Sequence, residues 1–142
     1  MPGCVLRVSG LDFDVGHFWA ASPWQEYTGG VFHRGTPSGH PTKRVHEKSG
    51  FWFGISDCDE DQLEQQIQDS IEFLTEDRDE LERLAAFPGV DEMYLSIGLF
   101  WWADTICQTH SLPPKLMRLA GELGVEISLS IYGVDQDRPS DQ

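Results

Sequence analysis

Ten consecutive residues, 93–102, alternate without a break: Met93, Leu95, Ile97, Leu99 and Trp101 on one side, Tyr94, Ser96, Gly98, Phe100 and Trp102 on the other. A period of two held over that length describes a strand whose faces meet different surroundings. Three shorter stretches repeat the pattern. Residues 4–9 set Cys4, Leu6 and Val8 against Val5, Arg7 and Ser9; residues 51–56 set Phe51, Phe53 and Ile55 against Trp52, Gly54 and Ser56. Residues 125–132 set Val125, Ile127, Leu129 and Ile131 against Glu126, Ser128, Ser130 and Tyr132. Residues 31–34 read as a further short strand.

Between these strands the period changes. Leu63, Ile67, Ile71, Leu74, Leu81 and Leu84 recur at helical spacing, which predicts one long helix or two abutting ones. Asp57 or Asp59 is its expected N-cap, and Pro88-Gly89 its stop. Asp12 or Asp14 caps a short helix through about Ala21. In SLPPKLMRLAGELG, Ser111 is the expected cap, the prolines fall in the first turn and a glycine ends the helix. The predicted fold is α+β: a single, mostly antiparallel sheet with helices packed on one face, loosely ferredoxin-like. It forms one domain over residues 1–134, with a long basic loop insertion at 22–50 and a polar tail at 135–142.

If helices cover one face, the aliphatic side of each strand is the covered one. The core then takes Leu6, Val8, Phe51, Phe53, Ile55, Leu95, Ile97, Leu99, Ile127, Leu129 and Ile131. The open face gathers Arg7, Ser9, Trp52, Gly54, Ser56, Tyr94, Ser96, Phe100, Trp102, Ser128, Ser130 and Tyr132. Large aromatics interleaved with small hydroxyl residues suit a recognition surface. The plainer alternatives are that the 22–50 loop, the first helix or a second copy covers them.

The net charge of −14 restricts the partners of such a surface. Nucleic acid and anionic membranes would be repelled, whereas a basic protein would be attracted. From Asp57 to Glu82 there are twelve acidic residues against one basic, Arg78. The loop at 22–50 carries the opposite bias, with four of the ten basic residues and three histidines. Three widely spaced cysteines without a CxxC fit free thiols in a reducing compartment, and no stretch has the apolar length of a signal h-region or membrane span. The expected location is cytoplasmic.

FWWADTICQTH, residues 100–110, places a carboxylate, a thiol and an imidazole close together. Nucleophilic catalysis needs the thiol within reach of its base and an orienting third group, and no cysteine-protease signature surrounds Cys107. Cys107 therefore reads as a core residue, His110 as a polar residue preceding a helix and Asp104 as a turn residue. His33, His40 and His46, even with Cys58 or Asp57, match no zinc spacing. Neither GxGxxG nor GxxxxGK[ST] is present to cradle a nucleotide. No catalytic residue, metal or cofactor is expected.

LRVSGLDFDVGHFWAAS, SGFWFGISD with the acidic helix after it, and YLSIGLFWWADTICQTHSLPPKLMRLAGELGVEISLSIYG together resemble the bacterial family known as domain of unknown function 4279. That family has no assigned activity, so the resemblance implies the order of elements and no catalytic residues. The basic 33–48 segment has no counterpart in it. Taken together, these features suggest a non-enzymatic binding domain, of an immunity or regulatory type, that occludes a basic protein partner. Trp52, Tyr94, Phe100, Trp102 and Tyr132 would be its anchors, and Asp61, Glu64, Asp69, Glu72 and Glu76 its electrostatic steering field. Two alternatives stand beside it. One is a small-molecule-binding domain or enzyme with a pocket between the open face and the 22–50 loop, where Arg7, His33 and Cys107 would be the polar groups. The other is a homodimer formed through the open face.

Overall fold

The computed structural model describes residues 3–27, 29–39 and 44–138. Five strands, β1 (Cys4–Gly10), β2 (Gly29–Phe32), β3 (Ser49–Ser56), β4 (Glu92–Trp101) and β5 (Glu126–Gly133), form one sheet in the order β2-β3-β1-β4-β5. All neighbours are antiparallel except β4 and β5. Among the described residues the helices are α1 (Val15–Ala20), α2 (Leu63–Glu76), α3 (Arg78–Ala85) and α4 (Pro114–Leu123), with a 3-10 turn at Pro23–Glu26.

The strand order gives the ferredoxin-like expectation a definite form. β1 and β2 run parallel with β3 between them, and β3 and β4 run parallel with β1 between them. These are the two interleaved split βαβ units of that topology. β5 is an addition, docked parallel to β4 after the α4 crossover. The 22–50 stretch that reads in sequence as a loop insertion therefore contains the 3-10 turn, β2 and the start of β3, and only its 33–48 part is a connection, the β2–β3 hairpin link drawn out into an arm. Within the arm Gly35 N–H donates to His46 O, His46 N–H to Thr36 O and Ser38 N–H to Arg44 O, and Pro37 bridges Val45. The short strand lies at Gly29–Phe32 and not at 31–34, because its ladder to β3 ends at Phe32 opposite Gly50.

All four helices and the 3-10 turn pack on one face. The core joins Cys4, Leu6, Val8, Phe51, Phe53, Leu95 and Ile97 from the strands to Val15, Phe18, Trp24, Ile67, Ile71, Leu74, Leu81, Leu84, Leu116 and Leu123. The long helical stretch is two helices, which meet at Asp77. Asp14 caps α1, accepting from His17 N–H. The other predicted caps do not form: α2 starts after Gln62, past Asp57 and Asp59, and α4 after Pro113, past Ser111. Neither preceding residue caps with its side chain. Gly124 ends α4 in the left-handed region at φ 71°, as a helix-stopping glycine should.

Three expectations about faces fail for local reasons. A register shift at Cys4/Val5 pairs Ser56 with Cys4, so Ser56 turns from the open face to the helical side, where its hydroxyl donates to Asp69 at 2.6 Å. Leu129 and Ile131 are 45% and 57% exposed, because α4 covers only the beginning of edge strand β5, at Ile127. At the end of β4 the two tryptophans exchange roles: Trp101 is 38% exposed and Trp102 only 8%. Beyond the strands, the tail is bound as far as Arg138: Ala103 N–H donates to Gln136 O, and Arg138 N–H to the Asp104 carboxylate.

Candidate ligand-binding groove

Arg7 occupies the middle of the open face. On central strand β1 it lies opposite Trp52 of β3 and Tyr94 of β4. Its guanidinium sits over the ring of Phe32, 4.7 Å from the centroid. Phe32 belongs to β2 and reaches this far because Gly50 intervenes: a Cβ there would lie 2.7 Å from the Phe32 ring. His46 of the arm stacks on the same ring, with centroids 4.9 Å apart. A glycine, a phenylalanine and a histidine thus hold the arm against the sheet.

The result is a groove of about 600 Å³ between the arm and the open face. Arg7, Ser9, Phe32 and Tyr94 line it from the sheet, and Ser38, Arg44, Val45 and His46 from the arm, with Glu47, Lys48 and Glu92 completing the lining. Lys48 and Glu92 approach to 3.9 Å across exposed side chains, a pairing of little energetic weight. Among the described residues no carboxylate lies within 4.0 Å of a guanidinium nitrogen of Arg7 or Arg44. The end of β1 is held by the α3–β4 loop. There Asp91 N–H donates to Ser9 O and Leu11 N–H to the Asp91 carboxylate; a side chain on Gly10 would run into the Gly89 carbonyl, and one on Gly89, at φ 88°, into the backbone of Asp12 and Phe13.

The residues expected to form one acidic and aromatic surface are divided between the two sides of the sheet. Trp52, Tyr94, Phe100 and Tyr132 lie on the open face: Trp52 is 39% and Tyr132 51% exposed, and Phe100 pairs with Tyr132 across the β4–β5 ladder. Asp69, Glu72 and Glu76 lie on α2, in the helical layer. Asp69 accepts from Ser56 and Gln65, so it is structural. Glu80 and Asp77 are also engaged, by Ser22 and Trp24 Nε1.

Trp102, Asp61 and Glu64 do come together. With Glu60, Cys107 and His110 they line a second cleft, of about 660 Å³, between the start of α2 and the loop after β4. Trp102 also packs edge-to-face on Phe100. Gln108 organises the loop: its Nε2 donates to Phe100 O and its Oε1 accepts from Trp102 N–H, which closes the strand end with one side chain. Cys107 is exposed and not part of the core, because this clasp turns the chain outward after Trp102. Its sulfur has no hydrogen-bond partner among the described residues, and the His110 ring contacts Gln108. His40 lies outside the described residues. Among those described, no three His, Cys, Asp or Glu side chains converge as a metal site would.

The thiol with the most altered chemistry is Cys4, in the core against the Ser70 hydroxyl at 3.3 Å. Burial, offset in part by the Ser70 hydrogen bond, pushes it from 9.0 to about 11. Between those values the unfolded chain releases this proton and the folded chain keeps it. Stability therefore falls as pH rises through that window, by about 1.4 kcal/mol per unit at most, and the loss is absent below pH 9. Urea denaturation at several alkaline pH values should show this slope, and Cys4→Ala should remove that part of it. Thiol labelling of the native protein should reach Cys107 first and Cys4 last.

No helix among the described residues is long and apolar enough to cross a membrane. Comparison with protein-family profiles, curated proteins and solved structures gave no match, so the resemblance to the domain of unknown function 4279 family rests on the sequence stretches alone.

Proposed function

We propose that this chain is a non-enzymatic binding domain whose ligand is a small molecule held between the open sheet face and the β2–β3 arm. The observation that carries this reading is the groove itself. The arm leans over the sheet through the Phe32–His46 stack and leaves about 600 Å³ between them, lined by side chains from three segments distant in sequence. Ligand sites are concave and combine apolar walls with a few convergent polar groups. Arg7, Ser9 and Tyr94 beside Phe32 and Val45 fit that description.

The test exploits the hairpin topology. Replacing residues 35–46 by a short Asn-Gly turn should leave the sheet folded, since two-residue loops close such hairpins. A small-molecule fragment screen followed by amide NMR shifts should produce ligands that perturb Arg7, Ser9, Tyr94 and 44–48 in the full chain. The same ligands should lose at least tenfold in affinity with the shortened arm. Ligands that bind both proteins equally would place the site elsewhere.

A second reading keeps the basic protein partner and moves its site. Trp102 with Asp61 and Glu64 in one cleft suits a cationic side chain, because an indole and carboxylates both attract ammonium and guanidinium groups. Under this reading, Asp61→Asn with Glu64→Gln should slow association with the partner and reduce its salt dependence, while shortening the arm should leave binding unchanged.

A further inference from the structure

We infer that the ligand of the arm groove is a small organic anion, bound through a carboxylate or phosphate group by Arg7, with Ser9, Tyr94 and Arg44 as the surrounding donors; this rests on the groove being the binding site. The balance of donors and acceptors favours it. The chain has 24 acidic residues against 10 basic ones, so a cation on its surface has no shortage of carboxylates to meet. Arg34, Lys48, Arg78 and Arg83 all have one within 4.0 Å. Among the described residues Arg7, Arg44, Lys115, Arg118 and Arg138 have none, and of these Arg7 and Arg44 line one groove together.

The hydroxyls beside them point the same way. Ser9 is only 7% exposed, yet its hydroxyl has no hydrogen-bond partner among the described residues. Among the described residues no wholly buried side-chain polar atom lacks a partner, so this hydroxyl is reachable, and the groove is the space it lines. Native proteins satisfy polar groups so deeply placed. Tyr94 lies opposite Arg7 across the β1–β4 ladder, and its hydroxyl is likewise without a partner among the described residues. A guanidinium lying over a ring retains its N–H groups for an acceptor, and the planar fork matches a carboxylate or phosphate oxygen pair. Glu47 and Glu92 at the same groove limit how much negative charge it accepts, which selects a small anion over a polyanion such as nucleic acid.

The experiment compares ligands of one shape and different charge. Benzoate, phenyl phosphate, neutral benzamide and cationic benzamidine are titrated into the full chain, following the Arg7 Nε–H signal and the amides of Arg7, Ser9, Tyr94 and 44–48. The expected result is groove shifts with benzoate or phenyl phosphate at least tenfold tighter than with benzamide, and none with benzamidine. Whichever anion binds more tightly distinguishes carboxylate from phosphate recognition. Arg7→Met should weaken the anion tenfold or more, and Ser9→Ala about threefold. Arg44→Gln, on the exposed arm, should weaken it severalfold and does not depend on how the sheet tolerates a change at Arg7. Benzamide or benzamidine binding in the groove as tightly as the anions would overturn the anion assignment and leave the groove as a site. If no probe moved a groove resonance, the anion assignment would fall, and an empty fragment screen would take the groove reading with it.

Discussion

Replacing Trp24 by alanine should lower the unfolding free energy by about 3–5 kcal/mol and Tm by roughly 10–20 °C. Trp24 is 1% exposed and stands in the 3-10 turn after α1, where its ring meets Phe18, Phe51, Phe53 and Phe73 at centroid distances of 5.3–6.2 Å. It is the contact point of the α1 region, strand β3 and helix α2. The surrounding rings cannot collapse into the space an indole leaves, since Phe51 and Phe53 are fixed by the ladder and Phe18 lies beneath the Arg83 guanidinium at 4.0 Å. Trp24→Phe should cost much less, about 1–2 kcal/mol, because it keeps most of the packing and gives up mainly the Nε1–H bond to Asp77. Equilibrium urea unfolding of the two variants separates these terms. An alanine variant within 1 kcal/mol of the native protein would mean that this aromatic cluster does not hold the helical layer on the sheet.

Gln66→Leu should destabilise the chain by about 1–3 kcal/mol although it adds apolar surface to the interior. Gln66 is fully buried on α2. Its Nε2 donates to Gly98 O at 2.8 Å and to Asp59 O at 2.9 Å, and its Oε1 faces Gly98 N–H at 3.3 Å. β1 begins at Cys4, opposite Ile97, so β4 runs on past its neighbour. Gly3 O and the Gln66 amide supply the partners the ladder lacks at Gly98. Leucine would take the side-chain donor from the buried Gly98 carbonyl, while the exposed Asp59 carbonyl would keep the Gln62 N–H. The Gly98 amide should exchange faster in the variant, and urea unfolding should report the loss. Gln66→Glu should be at least as damaging near neutral pH, and should recover partly in acid when the carboxyl gains a proton to donate. A leucine variant as stable as the native chain would show that the Gly98 carbonyl finds another donor.

The sequence rewards different questions unequally. Element order, the apolar side of each strand and the stop at Gly124 follow from periods of two and 3.6 and from a residue without a Cβ, and all three are properties of a few neighbouring residues. The same logic went astray at Ser56, where an extra residue in β3 reverses the parity, and at the N-termini of α2 and α4, which start after Gln62 and Pro113 without a side-chain cap. It also missed Gln66. A glutamine in an acidic amphipathic run carries no mark of being buried, and only the overhang of β4 beyond β1 makes its amide necessary.

For the candidate site, the sequence by itself determined that Arg7, Ser9, Trp52 and Tyr94 share one face, because registered neighbours on a sheet keep their parity whatever surrounds them. It also determined that basic charge is concentrated between β2 and β3 and acidic charge along α2 and α3. Only the tertiary structure decided that the basic arm lies over that face while the acidic helices cover the other, separating two features that looked like one surface. It likewise decided that Trp102 is covered, that Leu129 and Ile131 are not, and that Phe32 reaches across Gly50 to Arg7. The reason is physical: alternation states which side of a strand is apolar, but what covers that side depends on contacts between segments far apart in the chain, and no local pattern encodes their placement.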